Sequence, residues 1–192
     1  PLLRSEVWDL HAKTTDKGFV LAYMTQPYME KELINWHTKN PNVEIHCFSS
    51  RLQMPNVLKH SKNLYFHKID GKKFLSMMAE CRAVVTTAGF ESVCEAMALS
   101  KPVMMIPLRK HFEQTCNAFD AQISGAGITS ASFNLSPLML HVSEKREFND
   151  EIQQWFQQSD EKILSEVFDN QYFIANKIYE RYEFDERTLQ PI

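Results

Sequence analysis

The residues best suited to binding chemistry follow one short turn near the middle of the chain. Gly89 comes after the apolar stretch 83–87, and Ser92 and Glu95 follow within two helical turns. If a helix starts after Gly89, its first amides and its dipole favour an anion. The Ser92 hydroxyl adds a hydrogen-bonding group, and the Glu95 carboxylate can accept hydrogen bonds from a pair of sugar hydroxyls. In the alternative interpretation, Ser92 caps the helix and Glu91 and Glu95 only complement its dipole.

A strand, a helix and a second strand must position these residues. The charge-free, β-branched run 83–87 predicts a buried strand. Gly89 breaks this run because glycine adopts backbone conformations that are closed to other residues. The spacing of apolar residues predicts a helix over 90–99 that ends before Pro102 and a second strand over 103–106. This unit is a parallel crossover, and its turn lies at the carboxyl edge of the sheet, where open α/β sheets bind ligands.

The same patterns predict the remaining elements of the α/β region. We expect strands over 18–24, 43–48, 63–69 and 128–133, and helices over 28–39, 72–82, 111–124 and from 136. Residue 25 is a predicted N-cap, residues 49–61 are predicted to be mainly loop, and 63–69 is placed nearer the sheet edge. In the helix over 111–124 the apolar positions are Phe112, Cys116, Phe119 and Ile123.

The sequence predicts three regions. Residues 1–17 are a lead-in or linker from something upstream, 18–141 form a Rossmann-like α/β domain, and 142–192 form a helical extension packed on it. Apolar stripes at helical spacing support the extension, namely Phe148, Ile152, Trp155 and Phe156, then Ile163, Leu164, Val167 and Phe168, then Ile174, Ile178 and Tyr182. Alternatively, its aromatic end covers a neighbouring domain.

Composition excludes several classes of function. The chain has 192 residues, 44% of them hydrophobic and 23% charged, which is typical of a soluble globular protein. A net charge of −3 argues against nucleic-acid binding. There is no apolar run of membrane-spanning length and no visible signal peptide. Because the chain begins with Pro1 rather than Met, the presence of a targeting segment upstream is left open. The four cysteines lack C-x-x-C spacing and are expected to be buried free thiols, and no motif for a metal site occurs.

Residues 88–127 resemble the C-terminal, donor-binding domain of GT-B glycosyltransferases. The closest resemblance is to the branch containing the N-acetylglucosaminyltransferase of peptidoglycan synthesis. Three motifs in order carry it: A-G-F-E-S-V-C-E-A-M-A-L-S-K-P at 88–102, I-P-L-R-K-H-F-E-Q-T-C-N-A at 106–118, and G-A-G at 125–127. The similarity extends over about 18–133. Ala88 and Ser100 stand where glycine is common in this family.

The resemblance implies a role for each matched position. Gly89, Phe90 and Ser92 would line the diphosphate of a nucleotide-sugar, and Glu95 would bind the ribose hydroxyls. Ile69 would meet the base edge through its backbone. Glu113 and Gln114 would contact hydroxyls of the transferred sugar, or else they are simply an exposed helix start. The resemblance implies neither a metal nor a cofactor besides the donor substrate.

The sequence therefore predicts the donor-binding half of a glycosyltransferase that uses a UDP-sugar. The resemblance places the catalytic base in a separate N-terminal acceptor domain, so no catalytic residue is assigned here. The expected location is cytoplasmic, with peripheral membrane contact left open. Two alternatives remain: an isomerase similar to UDP-sugar 2-epimerases, and a noncatalytic module that binds a nucleotide or a partner.

Overall fold

The computed structural model describes residues 3–50, 55–143, 154, 156, 158 and 162–168. Within 3–143 the helices are Ser5–His11 (α1), Pro27–Lys39 (α2), Gly71–Glu80 (α3), Phe90–Ala98 (α4), Phe112–Ile123 (α5) and Ser136–Ser143 (α6). The strands are Val20–Met24 (β1), Ile45–Ser49 (β2), Val57–Ser61 (β3), Leu64–Lys68 (β4), Ala83–Thr86 (β5), Val103–Met105 (β6) and Gly127–Thr129 (β7). Residues 162–168 are also helical.

The strands form one sheet in the order β3-β4-β2-β1-β5-β6-β7. All neighbouring pairs are parallel except β3 and β4. Every residue of β5 and β6 is buried, because helices cover both faces of the sheet. The predicted α/β class with a parallel sheet is therefore confirmed, and the β5–α4–β6 unit lies beside the central strand β1.

The edge next to β4 differs from the prediction. The sequence predicts mainly loop over 49–61, whereas Val57–Ser61 forms the edge strand β3, antiparallel to β4. Consequently β4 is second from the edge. Strand β3 is polar and mostly exposed, with Val57 itself 43% exposed, so it lacks the apolar alternation that marks a half-buried strand.

The lead-in segment contains an element that the sequence does not predict. Helix α1 packs on α3 and α4, and its Val7 is fully buried in the core shared with them. The segment after α1 is held by Lys101, whose Nζ donates to the carbonyls of Thr15 at 2.6 Å and Cys81 at 2.9 Å. One buried apolar residue in a seven-residue helix gives too weak a period to be recognised.

Two local predictions are wrong at helix ends. Gln26, not Thr25, is the N-cap of α2, and the Thr25 hydroxyl is buried without a hydrogen-bond partner among the described residues. Gly89 does not adopt a backbone conformation that requires glycine, since its φ is −65°, whereas the preceding Ala88 has a positive φ of 61°. The left-handed conformation of this turn therefore falls on an alanine.

Helix α5 occurs where predicted, but most of its large apolar residues face outward. Phe112, Phe119 and Ile123 are 83%, 65% and 70% exposed. The buried positions of α5 are the small residues Ala118 and Ala121. Because alanines face the core, the helix can approach it closely.

The predicted helical extension lies mostly outside the described residues. Phe156 is helical and buried in the same core as α4 and α5. Within the helix over 162–168, Leu164, Val167 and Phe168 are exposed. The stripe at Ile174, Ile178 and Tyr182 and the division at residue 142 stay predictions. In the described part of the chain, no helix has both the length and the apolar character needed to cross a bilayer.

Ser100→Gly is expected to stabilise the protein. Ser100 follows α4 with φ 55°, and the amides of Ser100 and Lys101 donate to the carbonyls of Met97 and Ala96, which is the Schellman pattern. The left-handed conformation costs a non-glycine residue about 1–2 kcal/mol, partly offset by glycine entropy, so a net gain of about 0.5–1 kcal/mol is expected in urea unfolding. Ser76→Gly is the control: Ser76 is an exposed residue in the interior of α3, and the substitution should destabilise the protein by a similar amount. A loss of stability in Ser100→Gly would contradict this expectation.

Candidate functional site

A cavity of about 600 Å³ opens at the carboxyl ends of the parallel strands. Its lining comes from the turn before α4, the start of α3, the loop after β4 and the segment before α1. The lining residues are Arg4, Tyr23, Phe48, Ile69, Asp70, Gly71, Phe74, Gly89, Phe90, Glu91, Ser92, Glu95 and Glu113. This is the edge at which an open α/β sheet binds ligands.

The turn between β5 and α4 presents backbone donors to this cavity. Gly89 is the N-cap of α4 without a side-chain capping bond, so the first amides of the helix have no side-chain cap there. Asn117 of α5 fixes the turn by donating from Nδ2 to the carbonyl of Ala88 at 3.2 Å. An anion in front of the turn would meet oriented amides and the positive end of the helix dipole.

Ser92 lies in the first turn of α4, as predicted, and it is one of the residues that line the cavity. Its Oγ donates to the carbonyl of Gly89 at 3.3 Å and lies 3.3 Å from the hydroxyl of Thr86. A serine that caps a helix accepts a hydrogen bond from a backbone amide, whereas Ser92 donates one to a carbonyl. Ser92 therefore does not cap α4. The hydroxyl oxygen keeps capacity to accept a further hydrogen bond.

Glu95 is buried, with 5% of its surface exposed, at the side of the cavity. Arg4 binds its carboxylate through both oxygens, with Nε to Oε1 at 2.6 Å and Nη2 to Oε2 at 2.9 Å. The hydrogen bond and charge of Glu95 raise the pKa of Arg4 above its usual value. Sequence reasoning missed Arg4 because it is 91 residues away and belongs to a segment without a recognisable pattern.

Ile69 and Asp70 border the cavity on the other side of the turn. Ile69 follows β4, is 47% exposed and lines the cavity, whereas a contact between its backbone and a base stays a prediction. Asp70 is the N-cap of α3, since its carboxylate accepts from the amide of Lys73 at 3.0 Å. The capping bond explains Asp70 without a ligand.

Glu113 and Gln114 do not share one environment. Glu113 is exposed and lines the cavity. Gln114 does not line it; its Oε1 accepts from the amide of Leu108 at 2.9 Å and so holds the loop after β6. His111, the N-cap of α5, accepts from the amide of Gln114 through Nδ1 at 3.4 Å. The geometry thus brings six of the seven predicted residues together, namely Ile69, Gly89, Phe90, Ser92, Glu95 and Glu113.

The floor of the cavity is aromatic, which sequence reasoning missed. The rings of Tyr23 and Phe48 lie 5.6 and 5.2 Å from the ring of Phe74. In the sequence these three residues look like ordinary core positions of two strands and a helix. Among the described residues, no group of three or more histidine, cysteine, aspartate or glutamate side chains is placed to hold a metal ion. Metal-independent chemistry stays a prediction.

Several solved structures that are similar to this chain in fold are glycosyltransferases. SnogD from Streptomyces nogalater aligns with a TM-score of 0.57 at 12% identity, over 86% of this chain and 45% of that one. The spinosyn rhamnosyltransferase SpnG, solved with thymidine diphosphate, aligns at 0.55 and 13%, over 80% and 44%. The calicheamicin glycosyltransferase CalG4 aligns at 0.52 and 17%, over 87% and 43%. The fold is therefore that of a GT-B glycosyltransferase half.

The sequence family agrees with the fold. The model of glycosyl transferase family 1 matches residues 1–143, and the chain belongs to that family. No curated protein sequence matches the chain. The chain spans less than half of the solved structures named here, at 34% of the kitacinnamycin glycotransferase and 45% of SnogD. The comparisons do not single out the peptidoglycan branch, so that part of the resemblance stays a prediction.

Proposed function

We propose that this chain is the donor-binding half of a glycosyltransferase that transfers a sugar from a UDP-sugar to an acceptor. One observation carries the proposal. Six residues matched to the donor site of the family line a single cavity at the carboxyl edge of the sheet. The membership in glycosyl transferase family 1 supports the same reaction class.

Each part of the cavity suits one part of the donor. The amides after Gly89 and the dipole of α4 would stabilise the diphosphate as its charge develops on leaving. Glu95 would accept from the ribose hydroxyls, and the backbone of Ile69 would meet the base. Glu113, and Gln114 if it turns from the loop, would contact the transferred sugar. None of these steps requires a metal in the proposed mechanism.

The acceptor and the catalytic base belong to a second domain in this proposal. Solved structures of the fold are more than twice as long as the part that this chain matches. Phe90, which is 53% exposed, and the exposed Glu113 both line the cavity and would be available to such a domain. We therefore expect the chain by itself to bind the donor and to transfer no sugar.

Calorimetric titration of the whole chain tests the proposed donor. UDP and UDP-N-acetylglucosamine are expected to bind, and GDP is expected to bind at least ten times more weakly, since its larger base would not fit the same backbone contacts. The comparison with thymidine diphosphate tests the ribose contact, since thymidine lacks the 2′-hydroxyl. Equal binding of all nucleotides, or of none, would contradict the proposal for this chain.

A further inference from the structure

The ion pair between Arg4 and Glu95 places a fixed cation inside the proposed donor cavity. Arg4 and Glu95 both line it, and their side chains are 41% and 7% exposed. The carboxylate is thus the buried partner, and the guanidinium reaches it from the rim. The remaining amino group of Arg4, Nη1, lies 3.4 Å from the carbonyl of Gly71 at the start of α3.

The ion pair fixes the orientation of the Glu95 carboxylate but leaves part of its hydrogen-bonding capacity free. Two parallel N–H bonds from a planar guanidinium fix both the position and the plane of a carboxylate. Each carboxylate oxygen has a second lone-pair site, so Glu95 can still accept two hydrogen bonds from a ligand. An unpaired glutamate on α4 would instead choose among several rotamers, and binding would have to order it.

Arg4 is itself held in place by its surroundings. It is the N-cap residue of α1, and Val7 one turn later is fully buried against α3 and α4. The start of α1, the start of α3 and the middle of α4 therefore meet at this guanidinium. This support makes the orientation of Glu95 a property of the fold rather than of one flexible side chain.

We propose that Arg4 is a positioning residue for ribose recognition: it holds the Glu95 carboxylate so that its free lone pairs accept hydrogen bonds from the 2′- and 3′-hydroxyls of the donor. The inference rests on the proposed function, because it assumes that the nucleotide of the donor lies in this cavity. It assigns Arg4 a role that acts through Glu95 and therefore depends on the ribose hydroxyls.

The test compares UDP with 2′,3′-dideoxy-UDP, which lacks both hydroxyls, in calorimetric titrations of the whole chain. The wild-type protein is expected to prefer UDP by about 10-fold or more, because hydrogen bonds to a charged group are being lost. Glu95→Gln and Arg4→Ala should both lose most of this preference, and Arg4→Lys should keep part of it. Binding of the dideoxy compound should change less than about threefold in the Arg4 variants, a shift smaller than one hydrogen bond.

Arg82→Ala is the matched control. Arg82 also joins the lead-in segment to the domain, with its Nε 3.1 Å from Asp16 Oδ2, but it lies outside the cavity lining. Its removal should leave the UDP preference unchanged. Should Arg4→Ala fail to fold by circular dichroism, Arg4→Lys decides: a reduced preference supports the proposal and an unchanged one overturns it.

Three results separate the possible failures. If Arg4→Ala weakens UDP and dideoxy-UDP by the same factor, Arg4 acts on the diphosphate or on the fold, and the inference is wrong while the proposed function stands. If the wild type binds UDP without preferring it to dideoxy-UDP, the ribose hydroxyls do not contribute to binding, and the inference is also overturned. If the wild type binds neither compound, the proposed donor site fails together with the inference.

Discussion

Glu95→Gln is expected to weaken UDP binding by about 10- to 100-fold, because hydrogen bonds to a charged group contribute about 1.5–3 kcal/mol. The substitution keeps the shape of the side chain and removes the charge that the ribose hydroxyls would meet. The partly exposed Arg4 can regain hydrogen bonds from water, so the fold should survive. Calorimetric titration with UDP measures the loss.

Glu91→Gln is the control that separates ribose binding from a dipole effect. Glu91 lies in the first turn of the same helix, lines the same cavity and is exposed. If the two carboxylates only complemented the dipole, Glu91 would matter as much as Glu95, because the dipole effect is strongest in the first turn. Equal losses in both variants would therefore refute the ribose assignment of Glu95.

Stability is expected to fall by about 2 kcal/mol between pH 7 and pH 5 because of His67. His67 is buried under Phe48, with ring centroids 4.8 Å apart, and its Nε2 lies 2.8 Å from His46 Nδ1. Burial, followed by the charges of Lys73 and His46, lowers the pKa of His67 to about 4.

The sign follows from the difference between the two states. The unfolded chain binds a proton at this histidine below about pH 6.5, whereas the folded chain does so only near pH 4. The contribution of neutral His67 to the free energy of unfolding is therefore complete above about pH 6.5 and is lost progressively as the pH falls toward 4. His37 adds a loss in the same direction, since burial lowers its pKa as well.

Urea unfolding at pH 7, 6 and 5 checks this dependence. His67→Gln should remove the larger part of the slope, whatever its effect on stability at pH 7. His60→Gln, on the exposed edge strand β3, is the control and should leave the larger part of the slope in place. A wild-type stability that stays constant from pH 7 to pH 5 would contradict the assignment.

The part of the fold around the turn could be predicted closely from sequence. Helix α4 begins at Phe90 as predicted and ends one residue earlier, at Ala98, because apolar spacing and Pro102 mark both ends. Strand β3 could not be predicted, since its polar edge carries no alternation. In α5 the spacing of large apolar residues predicts the helix correctly but not which face is buried, because the buried positions are the small Ala118 and Ala121.

The candidate site was predictable only where its residues lie in one continuous motif or at the end of a recognisable strand. Gly89, Phe90, Ser92 and Glu95 lie in one continuous stretch formed by the turn after β5 and helix α4, and Ile69 follows β4. Arg4 reaches Glu95 across 91 residues, a contact that only the packing of α1 creates. The sequence predicts the unusual backbone conformation at Gly89, whereas the positive φ falls on Ala88. Residue type is only a preference, and a hydrogen bond from Asn117 to the carbonyl of Ala88 helps to fix the turn.

The most direct test of the donor site is to titrate the 15N-labelled chain with UDP and follow the backbone amide shifts. We predict that the largest changes fall on Ile69 and on Gly89, Phe90, Glu91 and Ser92, where the diphosphate would accept hydrogen bonds from the start of α4. A second cavity, of about 470 Å³, is lined by residues that include Trp36, Asn134 and Ser136, and it shares no lining residue with the proposed donor cavity. Shifts concentrated there, with the α4 amides unchanged, would contradict the account.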